Sequence, residues 1–89
     1  MLTVWKYEIP LNDEFSLGIP TGAKVLTAML DPRGFSCLWC QVDTEKPTEK
    51  RRFRMAGTGH PLGHTSDKLV YISSFVQGYF VWHVFEVVQ

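Results

Sequence analysis

The sequence predicts an all-β fold, a single small antiparallel sandwich or open barrel of about seven short strands over residues 1–89. Short segments in which apolar and polar residues alternate recur along the chain, as in strands that bury one face. Turn-forming residues separate these segments. Two further segments are apolar on both faces, which is typical of strands in the middle of a sheet. Because no internal repeat or linker is visible, we expect one domain.

Three strands are predicted before residue 31. Alternation over Thr3–Ile9 predicts a half-buried strand that ends near Pro10, because proline cannot donate a ladder hydrogen bond. Alternation over Glu14–Ile19 predicts the second strand. The third segment, Lys24–Leu30, has apolar residues on both sides, so a short helix competes with a strand there. The strand is favoured because the segment is short and turn residues close both of its ends.

The fourth and fifth strands follow a hairpin turn at residues 31–34. Phe35–Val42 is apolar on both faces and is therefore predicted to be a central strand. The fifth strand, Arg51–Met55, is basic. Its alternation predicts that Phe53 and Met55 face the core, whereas Arg52 and Arg54 face solvent or a ligand. A solvated edge strand whose cations discourage aggregation is the alternative, and both interpretations stay open.

The last two strands are predicted to form a hairpin. Lys68–Val76 and Tyr79–Val88 flank Gln77 and Gly78, which supply the turn. The final strand is apolar on both faces, so we expect it either in the middle of its sheet or against a partner chain. His83 in this strand is expected to be a hydrogen-bonded core histidine.

Composition restricts the partners that the chain could have. The sequence is 45% hydrophobic and 13% aromatic, which is rich for 89 residues, so we expect a homo-oligomer that covers part of this surface. Nine basic and nine acidic residues balance to zero, and general DNA binding is therefore not expected. No stretch approaches the roughly 18 apolar residues that a membrane helix needs, and no secretory leader is recognisable. We expect a soluble, unsecreted protein without a membrane contact.

The segment Lys50–His64, KRRFRMAGTGHPLGH, predicts an anion site. Arginine presents a planar fork suited to phosphate or carboxylate, and glycines let backbone amides converge on an anion. The spacing matches neither a Walker A loop nor a dinucleotide fingerprint. An aromatic ring, from His60, Trp5 or Trp39, would stack on a base. The ligand-binding residues that we expect are Arg52, Arg54, Gly57, Thr58, Gly59 and His60.

The cysteines and histidines raise a second possibility, a zinc site. Cys37 and Cys40, followed by His60 and His64, give C-x2-C and H-x3-H spacing. However, Pro61 lies between the histidines and prevents a regular helix turn, and residues three apart in a strand point to opposite faces. We therefore favour two small buried cysteines and predict no metal and no cofactor.

A catalytic interpretation finds little support in the sequence. His60 could act as a general base for phosphoester chemistry, with Thr58, Asp67 or Glu49 as orienting groups. No other pattern points to a hydrolase. Binding a ligand without reaction requires only correctly placed hydrogen-bond donors, whereas catalysis also requires groups aligned with the reacting atoms. We therefore expect a protein that is not an enzyme.

Several segments carry a resemblance to a known family. VWKYEIP at residues 4–10, GAK at 22–24, LW and VD within 38–43, and PTEKRRFR with GTGHP within 47–61 resemble a family of small uncharacterised proteins of tailed phages and prophages. The resemblance implies a phage-type context and a compact β domain, with no assigned activity.

In that context, we expect a protein of the host cytoplasm that counters host defence. It would sequester a nucleotide-like small molecule or block a host protein. A virion or assembly component is the alternative, with the apolar C-terminal strand as the contact between subunits.

Overall fold

The computed structural model describes residues 1–63 and 68–88, and these residues form seven antiparallel strands in two sheets. The all-β, sandwich-like expectation is thereby confirmed. The segment at residues 24–30, for which a helix competed, is a strand. Across the described residues, no helix is long and apolar enough to cross a bilayer. The strands are β1 (Leu2–Glu8), β2 (Glu14–Pro20), β3 (Lys24–Leu30), β4 (Ser36–Asp43), β5 (Thr48–Gly57), β6 (Leu69–Gln77) and β7 (Phe80–Val87).

The strand order explains the two segments that are apolar on both faces. One sheet has the order β1-β4-β3 and the other β2-β5-β7-β6. Both β4 and β7 therefore lie between two neighbours, as predicted for strands with little polar surface. The predicted hairpin of the last two strands is confirmed, since β6 pairs with β7 antiparallel.

The hydrophobic core draws residues from both sheets. Phe53 and Met55 are 1% exposed, which confirms the predicted inner face of β5. Burying a side chain of this size contributes about 1.5–3 kcal/mol, so a core of this extent is the main source of stability. The buried cluster comprises Ile9, Phe15, Ile19, Ala23, Ala28, Leu38, Cys40, Val42, Phe53, Met55, Phe75 and Val84.

A serine joins the two sheets along one side of the sandwich. The Ser73 hydroxyl accepts a hydrogen bond from the Ala28 amide and donates one to the Ala28 carbonyl, both at 2.7 Å. Each of the two strands has a register irregularity close to this contact, at 25/27 in β3 and at 71/73 in β6. The edges of β3 and β6 therefore cover each other without a regular backbone ladder.

A buried carboxylate fixes the hairpin between β3 and β4. Asp31 is 5% exposed, and its Oδ1 accepts hydrogen bonds from the Arg33 and Phe35 amides, both at 2.9 Å. Its Oδ2 accepts a hydrogen bond from Lys6 Nζ at 2.9 Å, which ties the turn to β1. The bond from Lys6, followed by the bond from the Phe35 amide, lowers the pKa of Asp31 well below its ordinary value.

The Asp31 contacts predict acid sensitivity. A carboxylate whose pKa is lower in the folded than in the unfolded chain stabilises the fold above the unfolded pKa. That contribution is lost as the pH falls from the unfolded pKa, about 3.9, towards the folded one. The free energy of unfolding should therefore fall less steeply below pH 4 in Asp31→Asn than in the natural chain. Urea unfolding at a series of pH values measures this, and parallel profiles for the two proteins would contradict it.

Candidate functional site

The predicted anion site depends on where the arginines of β5 point, and Arg54 does not face solvent. It is 7% exposed, so the expectation that it faces solvent or a ligand is wrong. Its Nε donates to the Leu62 carbonyl at 2.7 Å, and its Nη2 donates to the Pro61 carbonyl at 2.6 Å. Its Nη1 donates to the Asp13 carbonyl at 2.8 Å and to the carbonyl of Met55. Alternation gave the sheet face correctly, but the following loop folds back over that face.

These contacts make Arg54 a structural clamp. One guanidinium holds the β1–β2 connection, through Asp13, and the loop after β5, through Pro61 and Leu62. Carbonyl oxygens converge on it, and the Asp13 carboxylate lies 3.8 Å from Nη1, so the groups around this cation repel an anion. The donors of Arg54 are therefore used inside the protein and are not directed at a ligand.

The two neighbouring arginines of β5 have different roles. Arg51 Nε and Nη2 donate to the Glu86 carboxylate at 2.6 and 2.7 Å, a bidentate pair that is largely buried. Arg51 also donates to the Ala23 carbonyl at 2.5 Å, which links β5 to the turn before β3. Arg52 is exposed, and its side chain makes no hydrogen bond or ion pair with another described residue. It borders an open depression lined by Glu14, Phe15, Ser16, Arg52 and Phe53.

The glycine loop forms a tight turn at the end of β5. The His60 amide donates to the Gly57 carbonyl at 3.0 Å, and Gly59 has a φ of 87°, a value that favours glycine. A Cβ on Gly57 would lie 2.9 Å from the His60 ring, so glycine also makes room for this histidine. The Thr58 amide donates to the Val81 carbonyl at 3.2 Å. Two backbone amides that an anion would need are thus already bonded.

The six predicted ligand-binding residues therefore lie in three environments. Arg52 lies on the outer face of β5 beside β2, and Arg54 lies beneath the loop. Gly57, Thr58, Gly59 and His60 form the turn, where the His60 ring meets Trp82 edge-on with ring centroids 6.4 Å apart. The structure does not bring the two arginine side chains and the loop amides to one point.

A chain of polar side chains crosses the outer face of the four-stranded sheet. Thr58 Oγ1 lies 2.8 Å from His83 Nε2, and Ser74 Oγ lies 2.7 Å from His83 Nδ1. The Tyr71 hydroxyl lies 2.9 Å from Ser74 Oγ. His83 is hydrogen-bonded as expected, but it is half-buried on the outer face and does not belong to the core. These contacts link the end of β5 to β6 and β7. The sequence pointed to Thr58 as a ligand-binding residue and to His83 as a core histidine, but not to Ser74 or Tyr71.

The chemistry of this chain differs from that of a catalytic triad. A hydroxyl, an imidazole and a second hydroxyl follow one another, so the histidine is held in one orientation. The group on Nδ1 is the neutral Ser74 hydroxyl, which cannot stabilise an imidazolium as a carboxylate does. The arrangement supplies oriented hydrogen-bonding groups rather than an activated nucleophile.

Exposed apolar side chains surround the polar chain. Cross-strand pairs place Tyr71 opposite Phe85, Ser74 opposite His83, and Val76 opposite Val81. Tyr71 is 58% and Val76 63% exposed, although apolar side chains of this size are usually buried. The Tyr71 and Phe85 rings meet edge-on at 5.7 Å. We call this surface the hairpin face, and it comprises Tyr71, Ser74, Val76, Val81, His83 and Phe85.

The cysteines do not share a face. Cys37 and Cys40 are both fully buried in β4, and Cys40 belongs to the core between the sheets, whereas Cys37 does not. Burial raises the pKa of both thiols, that of Cys40 to about 11. His64 lies outside the described residues. Among residues 1–63 and 68–88, no three histidine, cysteine or acidic side chains are grouped as a metal site requires.

Comparison with known proteins gives one result that extends over the whole sequence. A family described as a domain of unknown function (DUF7352) matches residues 1–89. No curated protein and no solved structure matches the chain. The family match agrees with the expectation of an uncharacterised family.

The roles of the two arginines predict opposite outcomes for the same substitution. Arg54→Ala removes the hydrogen bonds that the guanidinium gives to one buried and three part-buried carbonyls, and we expect the free energy of unfolding to fall by about 3 kcal/mol or more. Arg52→Ala, two residues away on the same strand, should change it by less than about 0.5 kcal/mol. Urea unfolding of both variants measures the difference. Equal effects would show that Arg54 is not a structural clamp.

Proposed function

We propose that this chain, which belongs to the DUF7352 family, is a non-enzymatic binding protein that docks on another protein through its hairpin face. The observation that supports this function is the exposure of Tyr71 and Val76 beside Val81, on rigid, paired strands. Contiguous exposed apolar surface with a polar centre is typical of protein interfaces.

The composition of the hairpin face specifies the chemistry of the partner. Tyr71 and Phe85 offer aromatic anchors that lose little conformational entropy when they bind. Both ring nitrogens of His83 are already bonded, so the oriented polar groups that remain for a partner are the hydroxyls of Thr58 and Ser74, which His83 holds in place. A complementary surface would present an apolar patch with one hydrogen-bonding group opposite these hydroxyls. The partner is therefore a folded protein surface rather than a small anion.

The phage-type context suggests what this docking achieves. In the host cytoplasm, a small protein that covers the working surface of a host defence protein would block it without any chemistry. The resemblance of residues 47–61 to phage and prophage proteins supports this setting. A virion or assembly component would use the same face for contacts with its own copies or with another structural protein.

A second candidate is sequestration of a nucleotide-like anion at Arg52. The observation that favours it is that this exposed cation has no side-chain partner among the described residues and lies beside an open depression. Without Arg54, the site offers a single guanidinium, so the affinity for phosphate groups would be modest.

Docking through the hairpin face predicts the effect of a charge placed on it. Val76→Lys puts an ammonium group in the interface, and we expect binding at least tenfold weaker, about 1.4 kcal/mol. Val70→Lys is the matched control, because Val70 is 51% exposed on the opposite side of the same strand. The natural chain and both variants are immobilised and exposed to bacterial lysate, and retained proteins are then measured as purified partners by calorimetry.

A host protein that binds the natural chain and Val70→Lys equally well, but Val76→Lys weakly, supports the proposal. The proposal fails if Val76→Lys retains every partner with unchanged affinity.

Thermal melting with mono-, di- and cyclic nucleotides tests the second candidate. A ligand at a hundred times its dissociation constant would add about 2.7 kcal/mol to the free energy of unfolding. We expect no such shift if docking is the function. A shift that Arg52→Ala abolishes would instead establish the anion site, and the control is the unchanged stability of Arg52→Ala without ligand.

A further inference from the structure

In the described part of the chain, no strand pairs with the outer side of β1. Strand β1 is the edge of the three-stranded sheet and pairs only with β4 among the described residues. It is seven residues long and its register with β4 is continuous. A straight edge strand of this kind presents a row of unpaired backbone groups.

The hydrogen bonds at its two ends show which groups point outward. The Ile9 amide donates to the Ser36 carbonyl, and the Thr44 amide donates to the Met1 carbonyl, both at 2.9 Å. Since backbone direction alternates along a strand, the odd-numbered residues bond to β4. The amides and carbonyls of the even-numbered residues therefore point away from the sheet, and these residues are Leu2, Val4, Lys6 and Glu8.

This edge lacks the usual protection against pairing. No proline or bulge interrupts β1, and Leu2 and Val4 are 69% and 52% exposed. Lys6, the residue type that commonly guards an edge, is held by Asp31. The other edges differ, because β2 carries Gly18 and ends at Pro20, while β3 and β6 cover each other through Ser73.

We propose that a second copy of this chain pairs antiparallel with β1 across a two-fold axis, so that two three-stranded sheets join into one. An isologous contact of this type needs a strand that is complementary to itself. The hairpin face belongs to the other sheet and stays free, so this inference is independent of the proposed function.

The length of β1 favours one register, because only an axis at Trp5, its central residue, pairs the whole strand Leu2–Glu8 with its copy. With the axis at Trp5, Val4 lies opposite Lys6 of the second copy, and Leu2 lies opposite Glu8, so no like charges meet. An axis at Lys6 would place two ammonium groups opposite each other. In the Trp5 register, every outward-pointing backbone group of the strand gains a partner, and the exposed Leu2, Val4 and Trp5 side chains gain cover.

Proline at an outward-pointing position tests the contact. Val4→Pro removes an amide that points away from β4, so the fold should persist while the dimer is lost. Ser16→Pro is the matched control at an outward-pointing position of the β2 edge, as the bond from the Met55 amide to the Asp13 carbonyl shows. Light scattering after gel filtration should give a dimer, a monomer and a dimer for the natural chain, Val4→Pro and Ser16→Pro. A monomeric natural chain, or a dimeric Val4→Pro, would overturn the proposal.

Cross-linking tests the register even if Val4→Pro fails to fold. In the Trp5 register, the two Trp5 Cα atoms would lie about 4.5 Å apart, within the range of a disulfide. We expect Trp5→Cys to form a covalent dimer on oxidation, in a Cys40→Ala background because Cys40 is the neighbour of Trp5 on β4. Thr3→Cys in the same background should stay monomeric on a non-reducing gel, since the two Thr3 residues lie about 13 Å apart. Equal cross-linking of both variants, or none of Trp5→Cys, would overturn the proposal.

Discussion

The hydrogen bonds of the Arg54 guanidinium determine how the loop after β5 lies on the four-stranded sheet. The guanidinium is a buried cation that donates to carbonyl oxygens of the β1–β2 connection and of the loop after β5, with the Asp13 carboxylate 3.8 Å away. Burying a charge is costly unless hydrogen bonds compensate, so the loop and the arginine require each other. The loop is thereby held over the outer face of β5, where it places Thr58 against His83.

The contacts of Arg54 change how the basic segment Lys50–His64 is interpreted. A run of cations followed by glycines resembles an anion site. Here, however, Arg51 binds a carboxylate, Arg52 faces solvent and Arg54 holds a loop. The glycines serve the turn and the space needed by His60. What the loop offers to a partner is the polar chain that it completes, together with the apolar residues beside it. In our proposal, this surface rather than an anion pocket binds the partner.

Most of the fold could be predicted from the sequence, because the alternation of apolar residues and the turn residues are local signals. The central positions of β4 and β7, and the inner face of β5 with Phe53 and Met55, follow from these signals. The burial of Arg54 does not, since it depends on a loop that returns from eight residues further along the chain. Likewise, nothing local in the sequence brings Ser73 to Ala28 or Thr58 to His83.

The chain thus combines a clamped loop, a free hairpin face and an uncovered edge strand on one small sandwich. The clamp can be tested most directly by hydrogen exchange of the arginine Nε–H groups, followed by nitrogen-15 NMR. The Nε–H of Arg54 is buried against the Leu62 carbonyl and should exchange far more slowly than that of Arg52. Equally fast exchange at both arginines would contradict the clamp and, with it, this account of the surface.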